Sequence, residues 1–353
     1  MRIILLPVSI VGKLQPSHRN NASVLCIEAG ARGWESIEFK ELYASACEYI
    51  GQDRVHKVSI NRDLNYFTQF KYSLKSLRPT HYFYDPRTGS QHGFKALVEA
   101  FRISVALSIR NINAIIILTD PSVRRWRYQS SMVTARQGIV VTFISAKAIA
   151  PIFPHHRLAG PSLMPFSATT LQSLVEMRSS LPQDEYGKAL FSGSLYEPRT
   201  SMLNTMASQL RAKGLELEIR GRVAGGPRIS DEAYWSGIIC APLIVTTADQ
   251  IINDECDWTW VPQMVYRYLE VMAAGTLLVA PEVPGLRRYF IPKVHFASFS
   301  TVEEASQVIA YYLTHPDERK ILALRGAERA RSLILGRSYW VSIDAALGTN
   351  SLI

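Results

Sequence analysis

Three features of this sequence predict an α/β protein of two Rossmann-like halves, each a parallel sheet flanked by helices. Short apolar runs alternate with amphipathic stretches along both halves, a proline-rich segment separates them, and 353 residues is ample for two domains of ordinary size. Two such sheets define a central cleft, and parallel sheets bind ligands beyond the carboxyl ends of their strands.

In the first half, apolar runs place strands at 3–10, 37–40, 55–60, 81–85, 114–120 and 139–145. Helical patterns fill the intervals at 20–29, 42–50, 64–77, 94–110 and 123–137. From 150 to 166 stand Pro151, Pro154, Pro161 and Pro165 beside His155, His156 and Gly160, a density that interrupts helices and marks a crossing between domains. The alternation resumes with a strand at 189–191, a helix at 199–213, a strand at 217–220, a helix at 232–235 and a strand at 239–246. After an irregular stretch at 248–261, "VYRYLEVMAAGTLLVAPEVPG" runs from a helix through Gly275 into a buried strand at 276–280. "KVHFASF" and two helical segments at 301–313 and 317–332 follow. The expected domains are therefore 1–155 and 156–335, with 336–353 packing back on the first.

A composition of 47% hydrophobic and 20% charged residues is that of a globular protein, and no apolar run reaches the roughly 18–20 residues of a membrane span. Pro7, Lys13 and the lack of a small-residue cleavage site argue against reading "MRIILLPVSIV" as a signal peptide. Cys26, Cys47, Cys240 and Cys256 are widely spaced, with neither a zinc pattern nor a disulfide framework, which agrees with a reducing cytoplasm. Lys and Arg outnumber Asp and Glu by 39 to 30, so anionic partners are favoured: nucleotides, acidic lipid surfaces or nucleic acid.

Two constellations carry chemistry. In "ALFSGSLYEPRTSMLNTMASQL" a strand ends in Ser192, Gly193 and Ser194, and a helix begins near Pro198 with Arg199. Free backbone N–H groups and a fixed cation there suit a pyrophosphate, although a permissive glycine and a solvated arginine read equally well. Arg267 and Glu270, at i and i+3, project to the same side of a helix. They form either a surface ion pair or a site in which the carboxylate accepts two ribose hydroxyls while the arginine faces phosphates.

"FSGSLYEPRTSMLNTMASQLRAKGLELEIRG", "ISDEAYWSGIICAPLIV", "VYRYLEVMAAGTLLVAPEVPGLRRYF" and "STVEEASQVIAYYLTHPDERKILALRGAERA" stand in the order seen in nucleotide-sugar-dependent glycosyltransferases of the GT-B fold. Over about 190–332 the chain resembles the carboxyl-terminal domain of the group related to the spore protein CgeB. The resemblance implies a second domain that binds a nucleoside diphosphate sugar. Gly193, Ser194 and Arg199 match the phosphate-side loop, and Arg267 and Glu270 match the donor-binding Arg-x-x-Glu. Tyr234 and Trp235 match an aromatic helix, where core packing is the competing reading.

The sequence departs from the family in one respect. Pro262 stands where many retaining members carry a second glutamate, so that donor clamp is missing. An inverting displacement needs a general base from the first domain, and Asp85 and Asp120, each ending an apolar strand before a proline, are the candidates. Both also suit simple turn initiation; His18, His92 and Glu28 are the reserves. "NDECDW" is not an Asp-x-Asp motif, and helix dipole and arginines neutralise the diphosphate in this fold, so no metal is expected.

The basic aromatic run "SVRRWRYQ" suits an anionic acceptor, a phosphate-linked lipid carrier or a solvated helix face, and no nucleic acid is expected. The expected reaction moves a sugar from a nucleoside diphosphate sugar to a saccharide or glycolipid hydroxyl without a cofactor, in the cytoplasm or at the inner face of a membrane. The rivals are a nucleotide-sugar 2-epimerase of the same fold and a non-enzymatic two-lobed binding protein.

Overall fold

The computed structural model describes residues 23–30, 36–60, 65–88, 93–119, 124–134, 138–144, 146–151, 153–182, 187–222, 229–247, 263–348 and 351–353. The first sheet comprises β1 (Leu25–Gly30), β2 (Val55–Ile60), β3 (His81–Tyr84), β4 (Asn113–Leu118), β5 (Gly138–Thr142) and β6 (Arg157–Ala159). Its order is β2-β1-β3-β4-β5-β6, and every pairing is parallel. Side chains alternate along β1: Leu25, Ile27 and Ala29 face the core shared with α1 (Ile37–Ile50), whereas Cys26 faces the core under α2 (Tyr66–Leu77) and α3 (Gly93–Ile109).

Two expectations fail at the start of the chain. The pattern at 20–29 reads as a helix, yet 25–30 is β1; an apolar run this short has no periodicity of its own, and pairing with β2 and β3 decides. The alternating Ile37-Glu38-Phe39-Lys40 reads as a strand, yet it is the first turn of α1. Ser36 caps that turn by accepting from the Phe39 N–H at 3.3 Å, and Phe39, Leu42, Ala46 and Ile50 recur at helical spacing on the buried face. The strand expected at 3–10 lies outside the described residues.

The second sheet holds β7 (Ala189–Ser194), β8 (Leu217–Arg222), β9 (Leu243–Val245), β10 (Leu277–Pro281) and β11 (Ala297–Phe299), all parallel, in the order β11-β10-β9-β7-β8. Its outer core packs under α7 (Arg199–Arg211), α10 (Val302–Thr314) and α11 (Pro316–Leu335). Its inner face joins α6 (Ala168–Ser180), α8 (Asp231–Cys240) and α9 (Arg267–Ala273) in one core with the inner face of the first sheet. The helix expected at 232–235 runs on to Cys240 and shortens the strand after it, because Ile238 and Ile239 bury themselves as helix residues.

α9 stops where the sequence says it should. Gly275 adopts φ 74°, its N–H bonds the Met272 carbonyl at 3.0 Å, and the Thr276 N–H bonds the Val271 carbonyl at 3.1 Å, a Schellman motif that turns the chain into β10.

The joint between the halves is polar where α6 begins. Glu41 of α1 accepts from Ser167 N and Oγ at 2.7 and 2.8 Å, and Glu48 accepts from Ala168 N and Thr169 N at 2.8 and 3.0 Å. Two carboxylates thus satisfy the open N–H groups at the start of α6. The last helix, α12 (Ser338–Leu347), lies against β5 and β6, and buried Trp340 donates to Ser45 Oγ of α1 at 3.0 Å. Among the described residues, no helix is long and apolar enough to cross a membrane.

Candidate functional site

β8 and β9 flank β7 on opposite sides, so the strand order reverses there and leaves a crevice at the carboxyl ends of β7 and β9. β7 ends in Ser192, Gly193 and Ser194, and Thr246 and Thr247 follow β9. Arg199, the first residue of α7 and almost fully buried, spans them: Nε donates to Thr247 Oγ1 at 2.7 Å, and Nη1 to the Ser194 carbonyl at 3.1 Å. Its guanidinium lies 4.2 Å from the centre of the Tyr196 ring. The solvated-arginine reading therefore does not hold. A Cβ at Gly193 would come to 3.2 Å of the Phe191 ring, which would have to give by a few tenths of an ångström, and into ordinary contact with Arg267 Nη2 at 3.9 Å.

That constellation is not on the surface. Glu270 is only 3% exposed, and the Arg267 side chain 15%. Arg267 donates through Nη2 to the Ser192 carbonyl at 2.7 Å and through Nη1 to the Tyr234 hydroxyl; that hydroxyl in turn donates to Glu270 Oε2 at 2.7 Å. Arg267 Nε stands 3.8 Å from the same oxygen, and the guanidinium lies 5.0 Å from the Tyr234 ring centre. The surface ion-pair reading fails, and Tyr234, from α8, for which the sequence left both the family match and core packing open, links the two charged residues. Its only signal was its place in the aromatic helix. Trp235 does pack, edge-on to Phe166 at 6.1 Å.

Burial raises the Glu270 carboxyl above its ordinary range, Arg267 and the Tyr234 hydroxyl pull it back, and Glu41 and Glu38 add repulsion. A raised pKa means that the folded chain keeps this proton at pH values where the unfolded chain has lost it. Glu270 therefore contributes stability that falls as pH rises from the ordinary carboxylate value of about 4.3 through its folded value. Glu270→Gln, which cannot titrate, should flatten this part of a melting-temperature profile. Identical profiles for the two proteins would refute the shift.

Across the cleft, Asp85 follows β3 at the point where the order of the first sheet reverses between β1 and β3. It is fully buried and held as a fork: Arg87 Nε and Nη2 approach Oδ2 at 2.8 and 2.6 Å, and the Arg87 N–H donates to Oδ1 at 2.8 Å. Arg87 Nη2 also donates to Glu38 Oε1 on α1 at 3.0 Å. Lys40, on the same helix, pairs with Asp231 at the start of α8 and so bridges the halves. Glu28 is buried on β1 under α2, where the hydroxyls of Tyr66 and Tyr82 donate to it at 2.6 and 2.8 Å, and it does not line the cleft. Asp120, His18, His92 and Pro262 lie outside the described residues.

A cavity of about 320 Å³ between α6, the start of β10 and α11, with Arg178 and Arg319 in its wall, shares no residue with this crevice.

Residues 259–335 match the model of a family described as glycosyl transferase-like. Over nearly the whole chain the fold is similar to sucrose-phosphate synthase from Thermosynechococcus elongatus, with TM-score 0.57 and 12% identity over 92% of this chain and 96% of that one. It is equally similar to HepE from Anabaena in complex with UDP and glucose, at TM-score 0.57 and 12% identity over 91% and 98% of the two chains. A glycosyltransferase from Rickettsia africae matches with TM-score 0.55 and 11% identity over 94% and 98%. No curated protein matches the chain by sequence. By its two parallel-sheet halves and these likenesses the chain has the GT-B fold, and its residues 259–335 match a glycosyl transferase-like family.

Proposed function

We propose that this chain transfers a sugar from a nucleoside diphosphate sugar to a saccharide or glycolipid hydroxyl, with the donor held by the second domain, about 156–335, and the acceptor by the first, about 1–155. The observation that carries this reading is the buried Arg267, Tyr234 and Glu270 cluster beside Arg199 at the reversal point of the second sheet. Arg199 and Arg267 supply fixed positive charge for a diphosphate without a metal, and the Glu270 carboxylate supplies a two-oxygen acceptor for vicinal ribose hydroxyls. HepE binds UDP-glucose, and starch synthase IV from Arabidopsis thaliana, with a TM-score of 0.55, binds ADP; a donor of that class fits this site. The first domain faces the donor with Asp85 and Asp120 as its candidates for deprotonating the acceptor. The natural setting is the cytoplasm, with access to a membrane-borne acceptor.

A thermal-shift screen of nucleoside diphosphates and their sugars tests this directly, because a ligand that binds only the folded chain raises its melting temperature, by about 2.7 kcal/mol of stability at a hundredfold excess over Kd. A shift with one nucleoside diphosphate is expected. No shift with any of them would remove the donor site and favour a binding protein for another ligand. Conversion of a nucleotide sugar with no acceptor present would identify a 2-epimerase instead.

A further inference from the structure

We propose that the outer face formed by α2, α3 and α4 (Arg124–Thr134) is a docking surface for an anionic lipid bilayer. α3 is apolar on two sides. Ala96, Ala100, Ile103 and Leu107 face the sheet. A second stripe, Phe94, Val98, Phe101, Val105 and Ile109, follows the same helical spacing on the other side, and Phe94, Phe101 and Ile109 are 83%, 57% and 75% exposed. Tyr72 of α2 adds a further ring, 73% exposed. Isolated exposed apolar residues need no explanation, but a stripe of three along one helix, beside a fourth on its neighbour, does.

Among the described residues of these three helices and their ends, the exposed charge around this stripe is of one sign. Lys71 and Lys75 of α2, Arg78 at its end, Lys95 and Arg102 of α3, Arg110 at its end and Arg124 of α4 are all exposed. The one acidic residue in the three helices, Glu99, is buried. The Lys71 ammonium and the Arg102 guanidinium lie 5.6 and 5.7 Å from opposite helices over the same Phe67 ring, so α2 and α3 present a continuous surface. Arg124 donates to the half-exposed Tyr128 hydroxyl at 3.1 Å. Apolar and aromatic groups ringed by cations match the boundary between lipid headgroups and acyl chains. A second copy of this face would meet it with repulsion, which argues against self-association.

The position is also apt. These helices cover the side of the first sheet opposite the core it shares with the second domain. α3 follows β3 in a parallel sheet and runs back along it, so Phe94 and Lys95 stand at the carboxyl end of the sheet, the end at which Asp85 follows β3. A glycolipid headgroup would then reach the cleft from the surface on which the protein sits. This step deepens the glycolipid reading of the acceptor, but it rests on a face that shares no residue with the donor site, so either can fail alone.

The test is sedimentation of the full chain with phosphatidylcholine vesicles, with and without phosphatidylglycerol, for three proteins: wild type, Lys71→Gln/Lys75→Gln/Arg102→Gln, and Phe94→Ser/Phe101→Ser/Ile109→Ser. Wild type should bind only the anionic vesicles. At about fivefold per basic residue, the first variant should lose about 100-fold in partitioning, and the second should lose binding to the same vesicles. Both should keep the wild-type melting temperature and its rise with the donor nucleotide. The proposal is overturned if wild type ignores anionic vesicles, if neither variant weakens binding, or if the cations retain single-stranded nucleic acid in preference to vesicles. A wild-type dimer that the apolar variant dissolves would overturn it too.

Discussion

Glu270→Ala should weaken nucleoside diphosphate binding by at least about tenfold and lower folding stability by about 3–5 kcal/mol. The first figure follows from losing a hydrogen-bond acceptor that carries charge, worth about 1.5–3 kcal/mol. The second follows from burial. Arg267 would remain in the crevice with the Ser192 carbonyl and the Tyr234 hydroxyl but without its carboxylate, and an uncompensated buried charge is costly. A surface pair would cost under about 1 kcal/mol, so the stability loss alone separates the two environments. Glu270→Gln keeps an oxygen for the Tyr234 hydroxyl and should fall between wild type and alanine on both scales. Calorimetric titration and urea unfolding of the three proteins measure both effects. Equal affinities across the series would sink the ribose-clamp assignment, and a stability loss without an affinity loss would leave Glu270 a structural residue.

Asp120→Asn should keep donor affinity and lower turnover by about 10² to 10⁴-fold if Asp120 is the general base. Asp85, like Asp120, precedes a proline in the sequence, but its surroundings differ from those a base needs. Both of its oxygens are engaged by Arg87, which is itself tied to Glu38. A base must present a free lone pair to the acceptor hydroxyl, and here both oxygens already accept from Arg87. Asp85→Asn should therefore act mainly on stability, by removing the charge that compensates Arg87. Turnover with a saturating donor, measured beside a melting curve for each variant, distinguishes them. Unchanged turnover in both would remove the pair from consideration.

Much of the architecture was legible because it rests on short-range rules. The β2 strand at 55–60, the helices starting near 66, 93 and 199, and the stop at Gly275 each follow from periodicity, caps or a residue that tolerates positive φ, all carried within one or two turns of chain. The order of the four segments between 190 and 332 likewise sufficed to recognise the GT-B fold.

What failed was whatever required a neighbour from elsewhere. The run at 25–30 became a strand because β2 and β3 flank it, and 37–40 became a helix because Phe39 and Leu42 share a buried face. At the site, the sequence by itself determined that Arg199, Arg267 and Glu270 stand at helix positions facing the ends of strands. Only the tertiary structure decided that Tyr234, 33 residues away, joins Arg267 to Glu270, that Asp85 is clasped by Arg87, and that the ion pair is buried. The physical reason is that sequence specifies a charge and its local spacing, whereas its energy depends on the solvent it loses and on partners brought in by distant chain, and both of those exist only once the sheets have packed.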